Sequence, residues 1–243
     1  MTSKIKLLIS PKDLEEAKIT INSKVDYIDC KNPKEGSLGA NFPWIIKAMK
    51  NMIPPHSKQL LSATIGDFPF LPGSASLAAL GAAMAGADII KVGLKGPKDV
   101  KQGIELMKAV VKGVKDYDND IKIVAAGYAD KIRLKSSPNF LEIPVIAAES
   151  GADIAMLDTC IKDGQGLFDF LTVSQLIDFK EMAKEFGLEV ALAGNLMLEN
   201  LPNIKEISPD IIGVRSIVCE NHDRLNGKIK RELIEDLVKH LYS

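Results

Sequence analysis

The sequence predicts an α/β protein with the (β/α)8 topology of a TIM barrel. Eight short runs of β-branched and other apolar residues recur along the 243 residues, and a turn and a segment of helical periodicity follow each run. This alternation is typical of parallel strands joined by helices, and about 250 residues is a usual length for eight such units in one domain. We therefore expect residues 1–243 to form one barrel domain.

The predicted strands share an apolar composition rich in β-branched residues, as strands buried on both faces require. In chain order they are Lys6–Ile9, Tyr27–Lys31, Leu60–Ile65, Ile89–Gly93, Lys122–Gly127, Ile154–Asp158, Glu189–Ala193 and Ile211–Arg215. The similar segments Ala85–Ile90 and Ser150–Ala155 each place a glycine where a helix ends and a short turn enters a strand. Their positions, before strands four and six, support this register.

Capping residues indicate where the intervening helices begin and end. Ser10 followed by Pro11 predicts a capping hydroxyl before a proline in the first turn of a helix. Thr172 or Ser174 predicts the start of a later helix, which ends before Gly187. The helices therefore fall between the strands, as the barrel requires.

The charge balance of the chain indicates small-molecule partners. The chain carries 31 basic and 32 acidic side chains, and its isoelectric point is near 6.3. No net positive field is available to attract nucleic acid or an anionic membrane surface. We expect no nucleic-acid partner and no membrane partner, and we expect a homo-oligomer.

Targeting and metal-binding signals are absent from the sequence. Met1–Lys6 lacks the apolar run of a signal peptide, and no stretch approaches the ~20 apolar residues of a membrane span. Cys30, Cys160 and Cys219 are far apart and share no metal-ligand spacing with the three histidines. These observations predict a cytoplasmic protein with reduced thiols and no metal site.

Charged residues lie at the ends of predicted strands, where the active sites of this fold are found. In the second strand, Asp29 and Lys31 share one face because side chains alternate along a strand, whereas Cys30 points towards the helices. Lys91 interrupts the apolar fourth strand in the same manner. We therefore expect Asp29, Lys31 and Lys91 to point into the barrel.

The sixth and eighth predicted strands add further charges. Asp158 ends the sixth strand, Lys162 follows in the next loop, and Arg215 ends the eighth strand. Alternate strands of a barrel contribute to one interior layer. We therefore expect one opening to be surrounded by Lys31, Lys91, Asp158 and Arg215. Simple solvation explains any one of them equally well, but four charges beside apolar runs indicate a paired cluster, because burying an unpaired charge costs several kcal/mol.

A pair of lysines in such a cluster predicts carbonyl chemistry. A nearby cation and partial desolvation lower the pKa of an amine, which then attacks a carbonyl to form an iminium ion. The iminium makes the adjacent carbon acidic, and a second lysine then moves protons. Asp29 is placed to orient Lys31 or to move the released water, while Asp158 and Lys162 are assigned to hydroxyls, leaving groups or phosphate.

The loops after strands seven and eight are candidates for phosphate binding, as they are in other barrels. They contain Gly194 and Asn195, and Arg215 and Ser216. Backbone amides beside Gly194 and Ser216, together with the Arg215 side chain, are expected to hold one phosphate. A glycine that serves only a turn is the alternative.

The loop Lys31–Asn41 is long for this fold and rich in glycine and polar residues. It predicts either a segment that folds over substrate or a second anion site, formed by Lys34 and the amides near Gly36–Gly39. A plain surface loop is the third alternative.

Five motifs spread over nearly the whole chain are specific in length and order. They are Asp29–Trp44, Ser62–Asp67, Ile90–Leu94, Ala125–Asp130 and Ala155–Gly164. Together they resemble the (5-formylfuran-3-yl)methyl phosphate synthases of methanofuran biosynthesis, a family known from methanogenic archaea and some methylotrophic bacteria.

The resemblance implies a lyase that combines two molecules of glyceraldehyde 3-phosphate into the furan phosphate, with loss of one phosphate and water. It implies no metal and no organic cofactor. By position, Lys31 corresponds to the Schiff-base former and Lys91 to the proton acceptor. Asp29, Asp158 and Lys162 also fall on matching motif positions.

Two other functions share parts of this chemistry. A Schiff-base aldolase acting on sugar phosphates uses the same lysines up to the bond-forming step but releases no phosphate. A non-catalytic barrel that binds an anionic metabolite uses lysines only as charge partners, and it forms no iminium ion that borohydride can trap.

Overall fold

The computed structural model describes residues 4–23 and 25–242. Its strands are β1 (Lys6–Ile9), β2 (Tyr27–Cys30), β3 (Leu60–Asp67), β4 (Ile89–Gly93), β5 (Lys122–Tyr128), β6 (Ile154–Asp158), β7 (Glu189–Leu192) and β8 (Ile211–Val214). Its α-helices are α1 (Leu14–Asn22), α2 (Pro43–Met52), α3 (Pro72–Met84), α4 (Val100–Lys115), α5 (Glu142–Ser150), α6 (Leu167–Phe170), α7 (Val173–Glu185), α8 (Leu201–Ile207) and α9 (Arg231–Tyr242). Part of the prediction on targeting signals concerns Met1–Ser3, which lie outside the described residues.

The strands are parallel and pair in chain order, and β8 pairs with β1, so that the sheet closes into a barrel. The predicted (β/α)8 fold is therefore confirmed. Predicted and observed strand bounds differ by at most two residues. Because β2 and β8 stop one residue before Lys31 and Arg215, these two residues follow their strands at the C-terminal face.

Two helix starts test the capping predictions. The cap of α1 is Asp13, whose carboxylate accepts from an amide of the first turn at 2.9 Å. The prediction of a Ser10 cap is wrong, because the Ser10 hydroxyl donates to Asp29 Oδ2 at 2.7 Å instead. Thr172 caps α7 by accepting from the Gln175 amide at 3.3 Å, which confirms one of the two alternatives.

Alternation along the strands separates an outer core from an inner one. Cys30 packs outward with the helices, as predicted, whereas Tyr27 belongs to the apolar layer inside the barrel. At the N-terminal end of the barrel, Glu189 pairs with Lys6 at 3.3 Å and also with Lys122. No helix within residues 4–23 and 25–242 has the length and apolarity needed to cross a bilayer.

Candidate active site

Two lysines and one aspartate form the floor of the candidate site. Asp29 lies in β2, Lys31 follows it, Lys91 lies in β4, and all three are buried. Lys91 Nζ lies 2.6 Å from Asp29 Oδ1, whereas Lys31 Nζ lies 3.9 Å from Asp29 Oδ2. Asp29 Oδ2 also accepts from Ser10 Oγ at 2.7 Å. The carboxylate therefore lies between the two amines and contacts Lys91 more closely.

Burial and neighbouring charges set the ionisation of this floor. Burial opposes the ionisation of Asp29, but Lys91 and Lys31 outweigh it and hold the pKa of the carboxyl below its ordinary value. Burial lowers the pKa of Lys31 to about 8; Asp29 and Asp158 oppose this change, and Lys162 and Lys91 add to it. Near neutral pH, Asp29 is an anion, and the Lys31 amine has a larger neutral fraction than an ordinary lysine.

Asp158 and Lys162 form a second ion pair beside Lys31. Lys162 Nζ donates to Asp158 Oδ1 at 2.6 Å and to Thr159 Oγ1 at 3.1 Å. Burial opposes the ionisation of Asp158, but Lys162 and Lys31 hold its pKa at about 2. Asp158 is therefore an anion at neutral pH and fixes the position of the Lys162 ammonium.

These side chains line an open cleft at the C-terminal end of the barrel, and Gly194, Asn195 and Ser216 line it from the loops after β7 and β8. Gly194 and Asn195 have positive φ angles of 109° and 48°. Within the described part of the chain, the amides of Gly194, Asn195 and Ser216 donate to no protein acceptor. Adjacent free amides of this kind favour an anion.

Arg215 and Lys34, both predicted to bind phosphate, are placed differently. Arg215 Nη1 lies 2.7 Å from Glu16 Oε2 and donates to the Ser10 carbonyl at 2.8 Å, while Arg215 Nε donates to the Arg224 carbonyl at 2.9 Å. Glu16 is buried and needs a cation, so the Arg215 guanidinium, which also lines the cleft, is shared with an internal partner. Its contact with phosphate stays a prediction. Lys34 is exposed and does not line the cleft.

The loop Lys31–Asn41 covers the part of the barrel mouth above β3 and β5. Leu38 is fully buried in the inner core. Asp67, at the end of β3, accepts from the amides of Ser37 at 2.9 Å and Leu38 at 3.2 Å, and also from the Tyr128 hydroxyl. The alternative of a plain surface loop is therefore wrong.

The sequence analysis missed four residues of this region, namely Ser10, Asp67, Tyr128 and Arg224. The first three lie at or directly after the ends of β1, β3 and β5. The search for polar residues at strand ends considered only the even-numbered strands, and the same search on the odd-numbered strands identifies them. Arg224 lines the cleft from an irregular segment well beyond β8, where no periodic pattern gives a signal.

The fold and the site together define a (β/α)8-barrel enzyme with lysines and carboxylates at the C-terminal ends of its strands. A family model described as 4-HFC-P synthase matches residues 7–238. The chain belongs to this family, the (5-formylfuran-3-yl)methyl phosphate synthases, and the resemblance noted from the motifs is confirmed.

Relatives with that name are similar over nearly their full lengths. The protein of Methanocaldococcus jannaschii is 53% identical over 231 residues, which cover 95% of this chain and 97% of the relative. The protein of Archaeoglobus fulgidus is 51% identical over 235 residues, which cover 97% and 98%.

Solved structures with similar folds are much more distant in sequence. The crystal structure of KGPDC from Streptococcus mutans has a TM-score of 0.65 at 14% identity and covers 99% of this chain and 100% of that chain. A 3-hexulose-6-phosphate synthase has a TM-score of 0.65 at 16% identity and covers 98% and 100%. At such identities the similarity supports the barrel fold alone.

Proposed function

We propose that the protein condenses two molecules of glyceraldehyde 3-phosphate into (5-formylfuran-3-yl)methyl phosphate through a Schiff base on Lys31, as a carbon–oxygen lyase of methanofuran biosynthesis. The observation that carries this proposal is the floor of the cleft, where the buried Lys31 and Lys91 share the carboxylate of Asp29. Atoms balance when one phosphate and two waters leave, and the overall reaction includes no oxidation.

Lys31 is the better nucleophile of the two floor lysines. Its nearest carboxylate contact is 3.9 Å long, whereas Lys91 lies 2.6 Å from Asp29. With a pKa of about 8, the Lys31 amine has a neutral fraction that attacks the substrate aldehyde, and loss of water then gives an iminium ion.

Lys91 and Asp29 are placed to move the protons of the next step. The iminium ion acidifies the neighbouring carbon, and loss of that proton gives an enamine. Asp29 contacts both amines and Ser10. Its carboxylate takes a proton from the Lys91 ammonium at 2.6 Å, and the neutral Lys91 amine then accepts the proton from carbon. Fixed contacts of this kind hold the catalytic groups without reorganisation during the reaction.

Asp158 and Lys162 act on the groups that leave. The Lys162 ammonium, oriented by Asp158 and Thr159, is a donor for the oxygen of a departing phosphate or hydroxyl. The Asp158 carboxylate stays ionised and accepts hydrogen bonds from substrate hydroxyls. The free amides of Gly194, Asn195 and Ser216 bind a phosphate of the substrate.

The proposed function is tested by incubating the purified protein with glyceraldehyde 3-phosphate alone. We expect phosphate release together with the ultraviolet absorbance of a furan aldehyde. Borohydride added with substrate is expected to fix a triose phosphate on Lys31, located by peptide mass spectrometry. Lys47→Ala, which removes an exposed lysine of α2, is the matched control and keeps full trapping.

The same experiment distinguishes the alternatives. Reversible condensation without phosphate release indicates a Schiff-base aldolase. The absence of both trapping and turnover, with a folded protein, contradicts the proposal and leaves an anion-binding barrel.

A further inference from the structure

Arg224 presents an unpaired guanidinium at the mouth of the cleft. The residue is partly buried and lines both the cleft and a neighbouring groove of about 300 Å³. Within residues 4–23 and 25–242, its guanidinium makes no hydrogen bond and no ion pair. Arg224 and Asp158 line the same cleft. A half-buried arginine left without a partner is a position where a ligand anion is expected.

The segment that carries Arg224 is fixed by the rest of the fold. Its ends pair at Cys219 and Ile229, and Arg215 Nε donates to the Arg224 carbonyl at 2.9 Å. Gly227 lies so close to the chain that a Cβ atom there meets a carbonyl oxygen at 2.4 Å. The backbone at Arg224 is therefore anchored, so the side chain projects from a fixed position rather than from a free loop.

The groove is continuous with the cleft. Lys162, Asn195, Ser216 and Arg224 line both spaces. The carboxylate of the groove residue Asp223 accepts from the amides of Leu225 and Asn226 at 2.8 Å and 3.0 Å, which leaves its charge locally compensated. A ligand in the groove therefore borders Lys162, whereas Lys31 lines the cleft alone.

We propose that Arg224 binds the phosphate of the second triose phosphate, the molecule that is not attached to Lys31, and that the groove is its subsite. This inference rests on the proposed function. The furan product keeps one phosphate and loses the other, so the two phosphates need separate binding groups. A guanidinium offers two parallel donors to a phosphate and holds it in one orientation, while the free amides of Gly194 and Ser216 hold the other phosphate.

The test compares Arg224→Met with the wild type in two assays that use glyceraldehyde 3-phosphate. Borohydride trapping reports the molecule on Lys31, and furan formation reports the reaction with the second molecule. We expect trapping to change less than about twofold, whereas the half-saturating concentration for furan formation rises about 10- to 100-fold, as loss of a charged hydrogen bond predicts. Arg231→Met removes an exposed arginine that pairs with Glu235 and is expected to leave both assays unchanged.

A second variant and a second substrate sharpen the result. Arg224→Lys keeps the positive charge, and its half-saturating concentration for furan formation is expected to lie between those of the wild type and Arg224→Met. Unphosphorylated glyceraldehyde is then offered as the second molecule to protein that already carries glyceraldehyde 3-phosphate on Lys31. The wild type is expected to react more slowly with it than with glyceraldehyde 3-phosphate. Arg224→Met is expected to react with glyceraldehyde at the same rate as the wild type.

Several results overturn the inference. An Arg224→Met variant that saturates like the wild type contradicts it. Parallel loss of trapping and of furan formation assigns Arg224 to the first molecule instead. A wild-type protein that traps no triose contradicts the proposed function itself, and the inference is then rejected with it.

Discussion

The barrel mouth has a covered side above β3 and β5 and an open side formed by the loops after β6, β7 and β8. On the covered side, Asp67 accepts from two loop amides and from the Tyr128 hydroxyl. On the open side, and within the described part of the chain, Lys31 has a single carboxylate contact, at 3.9 Å, and Arg224 has none. Polar groups are thus satisfied within the protein on one side and left available on the other.

The difference in hydrogen bonding between the two sides indicates where a ligand binds. Buried polar groups in proteins are nearly always hydrogen-bonded, so a buried group with remaining capacity calls for a partner. The two sides meet at Lys31. This residue is the first of the covering loop, directly after β2, and it lines the open cleft. The polar groups of the covered side therefore hold the loop in place. The polar groups of the open side remain free to contact a ligand.

The largest expected effect on trapping and turnover comes from removing the Lys31 amine. Lys31→Ala is expected to abolish trapping and to lower turnover by at least about 10⁴-fold, on the scale seen when a covalent nucleophile is removed. Peptide mapping after borohydride treatment and furan absorbance measure the two effects. Lys47→Ala is the control, and normal trapping in Lys31→Ala places the Schiff base on another residue.

Removing the second floor lysine is expected to separate binding from turnover. Lys91→Met deletes the cation 2.6 Å from Asp29 and the assigned proton acceptor, so turnover is expected to fall about 10²- to 10⁴-fold. Trapping is expected to persist when it is measured above pH 9, where the Lys31 amine is neutral. Near-normal turnover in this variant contradicts the role given to Lys91.

Lys162, on the open side, is expected to influence the pH dependence of imine formation at Lys31. The Lys31 amine reacts when it is neutral, so wild-type trapping is expected to rise as the pH increases through about 8. Lys162 lowers the pKa of Lys31, and Lys162→Met is therefore expected to move this rise to higher pH. Lys162→Arg keeps the positive charge and is expected to keep the wild-type profile. A profile that stays fixed or moves to lower pH in Lys162→Met contradicts this account.

The fold and the floor of the site were predictable from the sequence because both depend on local periodicity. Apolar runs gave the eight strands, and the alternation of side chains placed Asp29, Lys31 and Lys91 inside the barrel. These placements need only the register of each strand and the rule that alternate strands share a layer. The roles of these residues stay predictions until the variants are measured.

The long-range pairing of side chains was not predictable in the same way. Arg215 directly follows β8, one residue beyond the observed strand end, but its guanidinium pairs with Glu16, which lies in α1 at the opposite end of the sequence. Nothing in either local sequence shows that a buried carboxylate stands there. Arg224 lies in an irregular segment, and only the closed barrel brings it to the cleft.

The smallest expected effect on turnover comes from loosening the covered side. Asp67→Ala leaves the buried amides of Ser37 and Leu38 without an acceptor, so it is expected to lower the free energy of unfolding by about 1–3 kcal/mol. Tyr128→Phe removes one donor and leaves both amides satisfied, so about 1 kcal/mol is expected. Urea unfolding measures both, and turnover at saturating substrate is expected to fall only a few-fold, because the cleft residues keep their contacts. Equal destabilisation by the two variants shows that the loop amides do not depend on Asp67, and a large loss of turnover in Tyr128→Phe makes the covered side part of the chemistry.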